Sequence, residues 1–337
     1  MFDLFTTLNM AFLGQALYAI TKTGVADRLA RAPATVADAA VDCGVDATVL
    51  QQTLFALAAY GFVLVDDTGN YRLAPKARGL ATNEEPRLRE LTLIWGEQLY
   101  PVCGKLDIML KTGQPAFAHH FGTPIWEHYR KVRGDGERFE NFMDAVTDWQ
   151  GPLVANALDC SGIHSLVDVG GARGSLTIPL LLRNPHLTAT IFDQPHHATY
   201  AGKRLAAAGI ANRASFVGGD FLRDVPANAD AYVVKHALHD WADVDVVRIL
   251  SNIARAMRPD SRLVIVEGLV DENPRSGGLL KLRNLEQMAW TGGRVRTQLD
   301  WETLLQSASL QLDKVETVPE PRMIDGKLLF ASRTLPG

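Results

Sequence analysis

A chain of 337 residues is longer than one hydrophobic core usually supports, so two domains are expected. Apolar residues make up 47% and charged residues 21%, and no run approaches the roughly 20 apolar residues that cross a bilayer, so a water-soluble protein without membrane contact is expected. With 34 Lys and Arg against 38 Asp and Glu the net charge is -4, which offers nucleic acid no attraction and suits a small, weakly charged ligand.

The apolar N-terminus, MFDLFTTLNMAFLGQAL, lacks the basic start and small-residue cleavage site of a signal peptide and reads as an amphipathic helix. A cytoplasmic location follows. Residues 11–80 carry a helical pattern that closes on two short apolar runs, 62–65 and 71–73, joined by the turn DDTGN, a β-hairpin signature. Helices followed by a hairpin suggest a winged helix. Residues 46–60, however, contain no Lys or Arg, whereas a helix that enters a DNA groove needs cations, so the module is expected to dimerise the chain and not to bind DNA. The three cysteines, Cys43, Cys103 and Cys160, are too far apart for a CxxC metal site or a disulfide framework and read as buried small side chains, and no metal is expected.

Residues 85–155 are rich in aromatics, among them Phe142 and Trp149, and are expected to cover a cavity, although any single ring there reads first as helix packing. After Gly162 the texture changes to strand-length apolar runs separated by helical patterns: SLVDVGG, TATIFD, ASFVGGD, DAYVVKH, RLVIVEG and KLLFASR. That alternation predicts an α/β domain with a mainly parallel sheet, covered on both faces, whose ligands sit at the carboxyl ends of the strands. The expected division is a helical winged-helix-like dimerisation domain at 1–95 and a Rossmann-like domain at 96–337, with helices 96–155 over the substrate cavity.

The first of those strands runs into LVDVGGARG, where Gly170, Gly171 and Gly174 permit a tight turn that presents backbone amides to a ligand. A nicotinamide dinucleotide enzyme would complete GxGxxG, but GGARGS has no glycine at the sixth place. Two acids close later strands: Asp193 in IFDQP, about 20 residues on, suits a ribose diol, and Asp220 with Phe221 in GGDF suits the amino group and face of adenine. Together they point to a nucleoside. The fourth strand enters KHALHDW, which sets His239 just past its end and before Asp240; an imidazole there can take a phenol proton near neutrality. His236 is the alternative, read as a packing residue. Glu267 closes the fifth strand, where a carboxylate can orient that imidazole.

The series LVDVGGARG, IFDQP, GGDF, KHALHDW and GGRVRT resembles, over nearly the whole chain, the O-methyltransferases of the plant caffeic acid type and their bacterial counterparts in antibiotic and pigment biosynthesis. The resemblance implies a homodimer and bound S-adenosylmethionine. The cofactor's methionine end lies by Asp168, Gly170, Gly171 and Gly174, its ribose by Asp193, its adenine by Asp220 and Phe221, with Lys235 close by. It implies His239 as general base with Asp240 and Glu267, and a small aromatic hydroxylated substrate, for which Phe142, Trp149 and Met288 are the expected contacts. The family's second base-holding acid belongs at the fourth position of GGRVRT, which here is Val295. One branch of the family hydroxylates on the same scaffold. Ala172 replaces a usual glycine, a small change, and Arg173 beside it reads first as an exposed arginine, with pairing to the cofactor carboxylate as the alternative.

Overall fold

The computed structural model describes residues 3–84, 87–319 and 326–334, and the chain divides into two units, residues 1–104 with 129–146 and residues 105–128 with 147–337. It therefore passes between units three times, where the sequence suggested one passage near residue 95.

In the first unit, helices Leu4–Lys22, Val36–Cys43 and Ala47–Ala59 begin at Asp3, Thr35 and Asp46, whose side chains accept the backbone N–H three residues on. Each cap contributes about 1 kcal/mol. Leu13, Ile20, Leu29, Leu50, Leu54 and Leu57 meet in one core, closed by the wing. There β1 (Val63–Val65) pairs antiparallel with β2 (Tyr71–Leu73), Val63 opposite Leu73.

Contrary to the sequence expectation, Leu4–Lys22 is long and apolar enough to cross a membrane by length and composition. One side of it is committed to the unit's core through Leu13, Ile20 and Thr21. Leu4, Phe5, Leu8 and Phe12 are strongly exposed instead. The cysteine expectation also needs correction: Cys160 is buried, but Cys43 is only half-buried and Cys103 is exposed.

The second unit is built on seven strands: β3 (Ser165–Val169), β4 (Thr188–Asp193), β5 (Ala214–Gly218), β6 (Ala231–Lys235), β7 (Arg262–Glu267), β8 (Leu310–Thr317) and β9 (Lys327–Arg333). Their order is β5-β4-β3-β6-β7-β9-β8, with β3 to β7 parallel and β9 antiparallel to both neighbours. Alternation along each strand splits the core into two layers. On β6, Tyr232 and Val234 join Ile249, Ile253, Trp301 and Leu305 of helices Asp243–Ala256 and Gln298–Ser307. Ala231 and Val233 join Leu180, Leu181 and Leu205 of helices Thr177–Arg183 and Ala198–Ala207. Each large aliphatic side chain so buried stabilises the fold by about 1.5 to 3 kcal/mol.

The chain moves outward one way from β3 through β4 to β5 and the other way from β6 to β7. The sheet therefore reverses between β3 and β6, and a crevice opens outside their carboxyl ends. The loop after Val169 and the segment after Lys235 face that crevice.

Candidate active site

The glycine-rich loop leaves β3 at Gly170, whose φ of 75° an L side chain rarely adopts and whose N–H donates to the Phe192 carbonyl at 2.8 Å. Gly171 lies over Asp168, and Gly174 lies against Ile191 of β4. Asp168 is buried beneath the loop. Burial pushes its carboxyl up to about 6, against the lowering effect of the Thr177 hydroxyl, which donates to it at 2.6 Å.

Two sequence expectations fail here. Ala172 is no small change, because its φ is 45°, in the left-handed region where a Cβ costs about 1 to 2 kcal/mol. It is held there by its N–H, which donates to Asp193 Oδ2 at 2.8 Å. Arg173 is buried, not exposed, with its guanidinium 4.2 Å from the centre of the Tyr200 ring, a cation–π contact.

Asp193, at the end of β4, thus has a structural duty as well as its place at the crevice; its other oxygen accepts the Gln194 N–H at 2.6 Å. Asp193→Ala is expected to weaken cofactor binding by roughly 1.5 to 3 kcal/mol, through a lost charge-assisted bond and a loosened Ala172. Calorimetric affinity equal to wild type would remove Asp193 from the site.

Asp220 turns its own loop by accepting the Leu222 N–H at 2.9 Å. The turn sets Phe221 beside the glycine loop, its Cε1 3.6 Å from where a Cβ on Gly170 would be. Phe221 also meets Trp241 edge to face, with centroids 5.7 Å apart. Lys235, at the end of β6, is buried and reaches His236 Nδ1 at 2.9 Å and Thr147 Oγ1 at 3.3 Å. His236 takes a φ of 51°, and its N–H continues the ladder to Val266. Its ring faces Lys235 and lies 5.7 Å from that of His239.

His239 sits on the short turn Leu238–Asp240. Its Nδ1 is 2.5 Å from Glu267 Oε2, and its backbone N–H donates to Oε1 of the same carboxylate at 3.3 Å. Glu267 is buried at the end of β7. Burial pushes its carboxyl up, but the charge and ring hydrogen bond of His239 outweigh that and hold it below the usual range. Asp240 is the opposite case: burial dominates, against the charge of His239 and a Gln287 donor, and lifts it to about 6. Its Oδ1 is 3.8 Å from His239 Nε2.

GGRVRT explains itself at this turn. A Cβ on Gly293 would lie 2.0 Å from the His239 carbonyl oxygen, so only glycine lets this loop pack on the His239–Trp241 backbone. Arg296, fully buried, donates to the Leu238 carbonyl at 3.1 Å, the Trp241 carbonyl at 2.8 Å and the Asp243 carboxylate at 2.8 Å. Arg294 binds Asp300 and Asp243. The two arginines clamp the turn that carries the imidazole, a duty the sequence signals only as a pair of cations after two glycines. Val295 is buried, and its N–H donates to Asn284 Oδ1 at 2.8 Å.

Of the expected substrate contacts, Met288 is exposed on helix Gly278–Trp290, while Trp149 packs against the core layer of Leu166 and Leu180. Phe142 belongs to the first unit, its ring 6.4 Å from that of Phe139.

The donor set fits a nucleoside that carries a compact cation: two strand-end carboxylates, an aromatic face and a loop of close-packed backbone. The O-methyltransferase domain family model matches residues 104–311. The chain is 32% identical to the phenazine O-methyltransferase PhzM of Lysobacter antibioticus, over 89% of this chain and 88% of that one. It is 33% identical to the aclacinomycin 10-hydroxylase RdmB of Streptomyces purpurascens, over 64% of this chain and 57% of that one. The crystal structure of LaPhzM aligns with a TM-score of 0.90 at 30% identity, over 97% of this chain and 98% of that one.

Proposed function

The chain belongs to the S-adenosylmethionine-dependent O-methyltransferase family, and on that premise we propose that it methylates a hydroxyl of a small aromatic molecule with His239 as general base. The bound cofactor supplies a methyl group activated on sulfonium sulfur. The protein's own work is to hold the hydroxyl in line with that methyl and to take its proton.

The observation that carries this reading is the pair His239–Glu267. A carboxylate on Nδ1 keeps the Nδ1–H tautomer, which leaves Nε2 with the basic lone pair. The same turn abuts the cofactor loop: Ala237 Cβ is 3.4 Å from where a Cβ on Gly170 would be, and Trp241 meets Phe221. Base and nucleoside loop are therefore neighbours within one unit. Trp149 and Met288 are the side chains of that unit assigned to the aromatic ring.

The hydroxylase relative and the missing acid at Val295 favour a second reading, in which the cofactor is retained but the substrate gains oxygen. One incubation separates the two: a panel of phenolic scaffolds with S-adenosylmethionine, with products weighed by mass spectrometry. A gain of one methyl supports transfer, and a gain of one oxygen with the cofactor unspent overturns it.

We further propose that the chain forms a homodimer through residues 1–80. The support is the row Leu4, Phe5, Leu8 and Phe12, more apolar surface than an isolated helix leaves in water. Light scattering is expected to give twice the chain mass, and a monomer with those residues present would refute the assignment.

A further inference from the structure

Helix Gly278–Trp290 presents two amide side chains one turn apart toward the clamp around His239. Asn284 Oδ1 accepts the Val295 N–H, and Gln287 Nε2 donates to Asp240 Oδ1 at 2.5 Å. The second amino hydrogen of Gln287 goes to Thr291 Oγ1 at 2.8 Å, and that oxygen accepts the Gly293 N–H at 3.0 Å. The amide orientation follows from chemistry, because a carboxylate needs a donor. The single amino group of Gln287 thus bridges Asp240 and, through Thr291, the loop packed on the His239 turn. Glu267 Oε2 lies 2.5 Å from His239 Nδ1 and Asp240 Oδ1 lies 3.8 Å from His239 Nε2.

We propose that Gln287 is a positioning residue for the base, holding Asp240 against the Nε2 edge of His239 so that Asp240 serves where residue 295 brings no acid. The inference rests on His239 as the base. When the substrate O–H bond breaks and the proton forms an N–H bond at Nε2, the new imidazolium lies between two carboxylates, Glu267 at Nδ1 and Asp240 at Nε2. Asp240 can stabilise that cation only while ionised, and its burial works against ionisation. The Gln287 N–H favours the charged form. The groups that bear on Asp240 are His239 on its own turn and Glu267 on β7; His236 and the buried Arg296 act in turn on Glu267.

The sign follows. Without the Gln287 donor, the coupled group of Glu267, His239 and Asp240 binds its inactivating proton more tightly, so the acid limb of the rate profile moves to higher pH. Gln287→Met, similar in volume but without a donor, is expected to move that limb up by about one unit and to lower kcat roughly twofold near pH 7 and up to about tenfold well down the acid limb, with little loss on the alkaline plateau. Gln287→Glu sets a second carboxyl beside Asp240 and is expected to move the limb further. The experiment measures kcat from about pH 5 to about pH 9 for wild type and both variants, at saturating cofactor, with cofactor affinity by calorimetry as the control. The limb is expected in the order wild type, Met, Glu. Infrared difference spectra against Asp240→Asn follow the Asp240 carboxyl directly and give the same order without turnover. Superimposed acid limbs, or an Asp240 band that titrates alike in all three proteins, would overturn the assignment. An acid limb in wild type that survives in His239→Ala would instead sink the base reading beneath it.

Discussion

Replacing His239 with alanine is expected to slow methyl transfer by roughly a hundredfold or more while cofactor affinity stays near wild type. The split follows from position. The imidazole is held by Glu267 at the end of β7, whereas the residues proposed for the nucleoside follow β3, β4 and β5. Truncation leaves Glu267 and Asp240 buried without their imidazole partner, so a melting temperature must accompany the rate. Single-turnover transfer, with calorimetry for cofactor affinity, checks the prediction. Wild-type turnover would mean that the substrate arrives already ionised.

The second large effect is expected at Glu267. Glu267→Gln keeps the shape, and its carbonyl can still accept the His239 backbone N–H, so the turn should persist. The charge is lost, however, and an amide N–H aimed at Nδ1 forces the ring proton onto Nε2, the atom that must accept. An orienting carboxylate changed to an amide in a serine protease triad costs about 10,000-fold by this tautomer switch, and a loss of roughly a hundred- to ten-thousandfold in kcat is expected here. The pairing also sets acid stability. Because the folded Glu267 carboxyl is held below its ordinary value, its contribution is present above the unfolded pKa of about 4.3 and is lost as pH falls through the folded value. Glu267→Gln should therefore flatten the loss of melting temperature on acidification, and an unchanged slope would contradict the pairing.

Much of this frame was legible in the residues. Six apolar runs became strands, five of them parallel and the sixth, β9, antiparallel; the central ones read as continuous hydrophobic stretches because both their faces are buried. His239 and Glu267 could be set together across 28 residues because both close neighbouring strands at one edge. β8 was missed for a physical reason. Its alternation is mostly polar, as suits an exposed edge, and a register shift between Leu312 and Lys314 breaks the period of two. Gln287 left no local signal, since a glutamine within a helix looks like a solvated face until its partner 47 residues away is in view. Arg173 misled for the same reason: composition makes an arginine beside glycines look exposed, and only the fold supplies Tyr200. The strain at Ala172 needs the backbone angle, which a small side chain does not announce.

The central claim is that His239 removes the proton from a hydroxyl that attacks the methyl. Transfer of labelled methyl from S-adenosylmethionine to phenols of graded acidity, measured for wild type and His239→Ala at one pH, tests it most directly. The base role predicts that the variant's deficit grows as the phenol becomes less acidic and closes for phenols already ionised at that pH. A deficit of the same size across the whole series would contradict it.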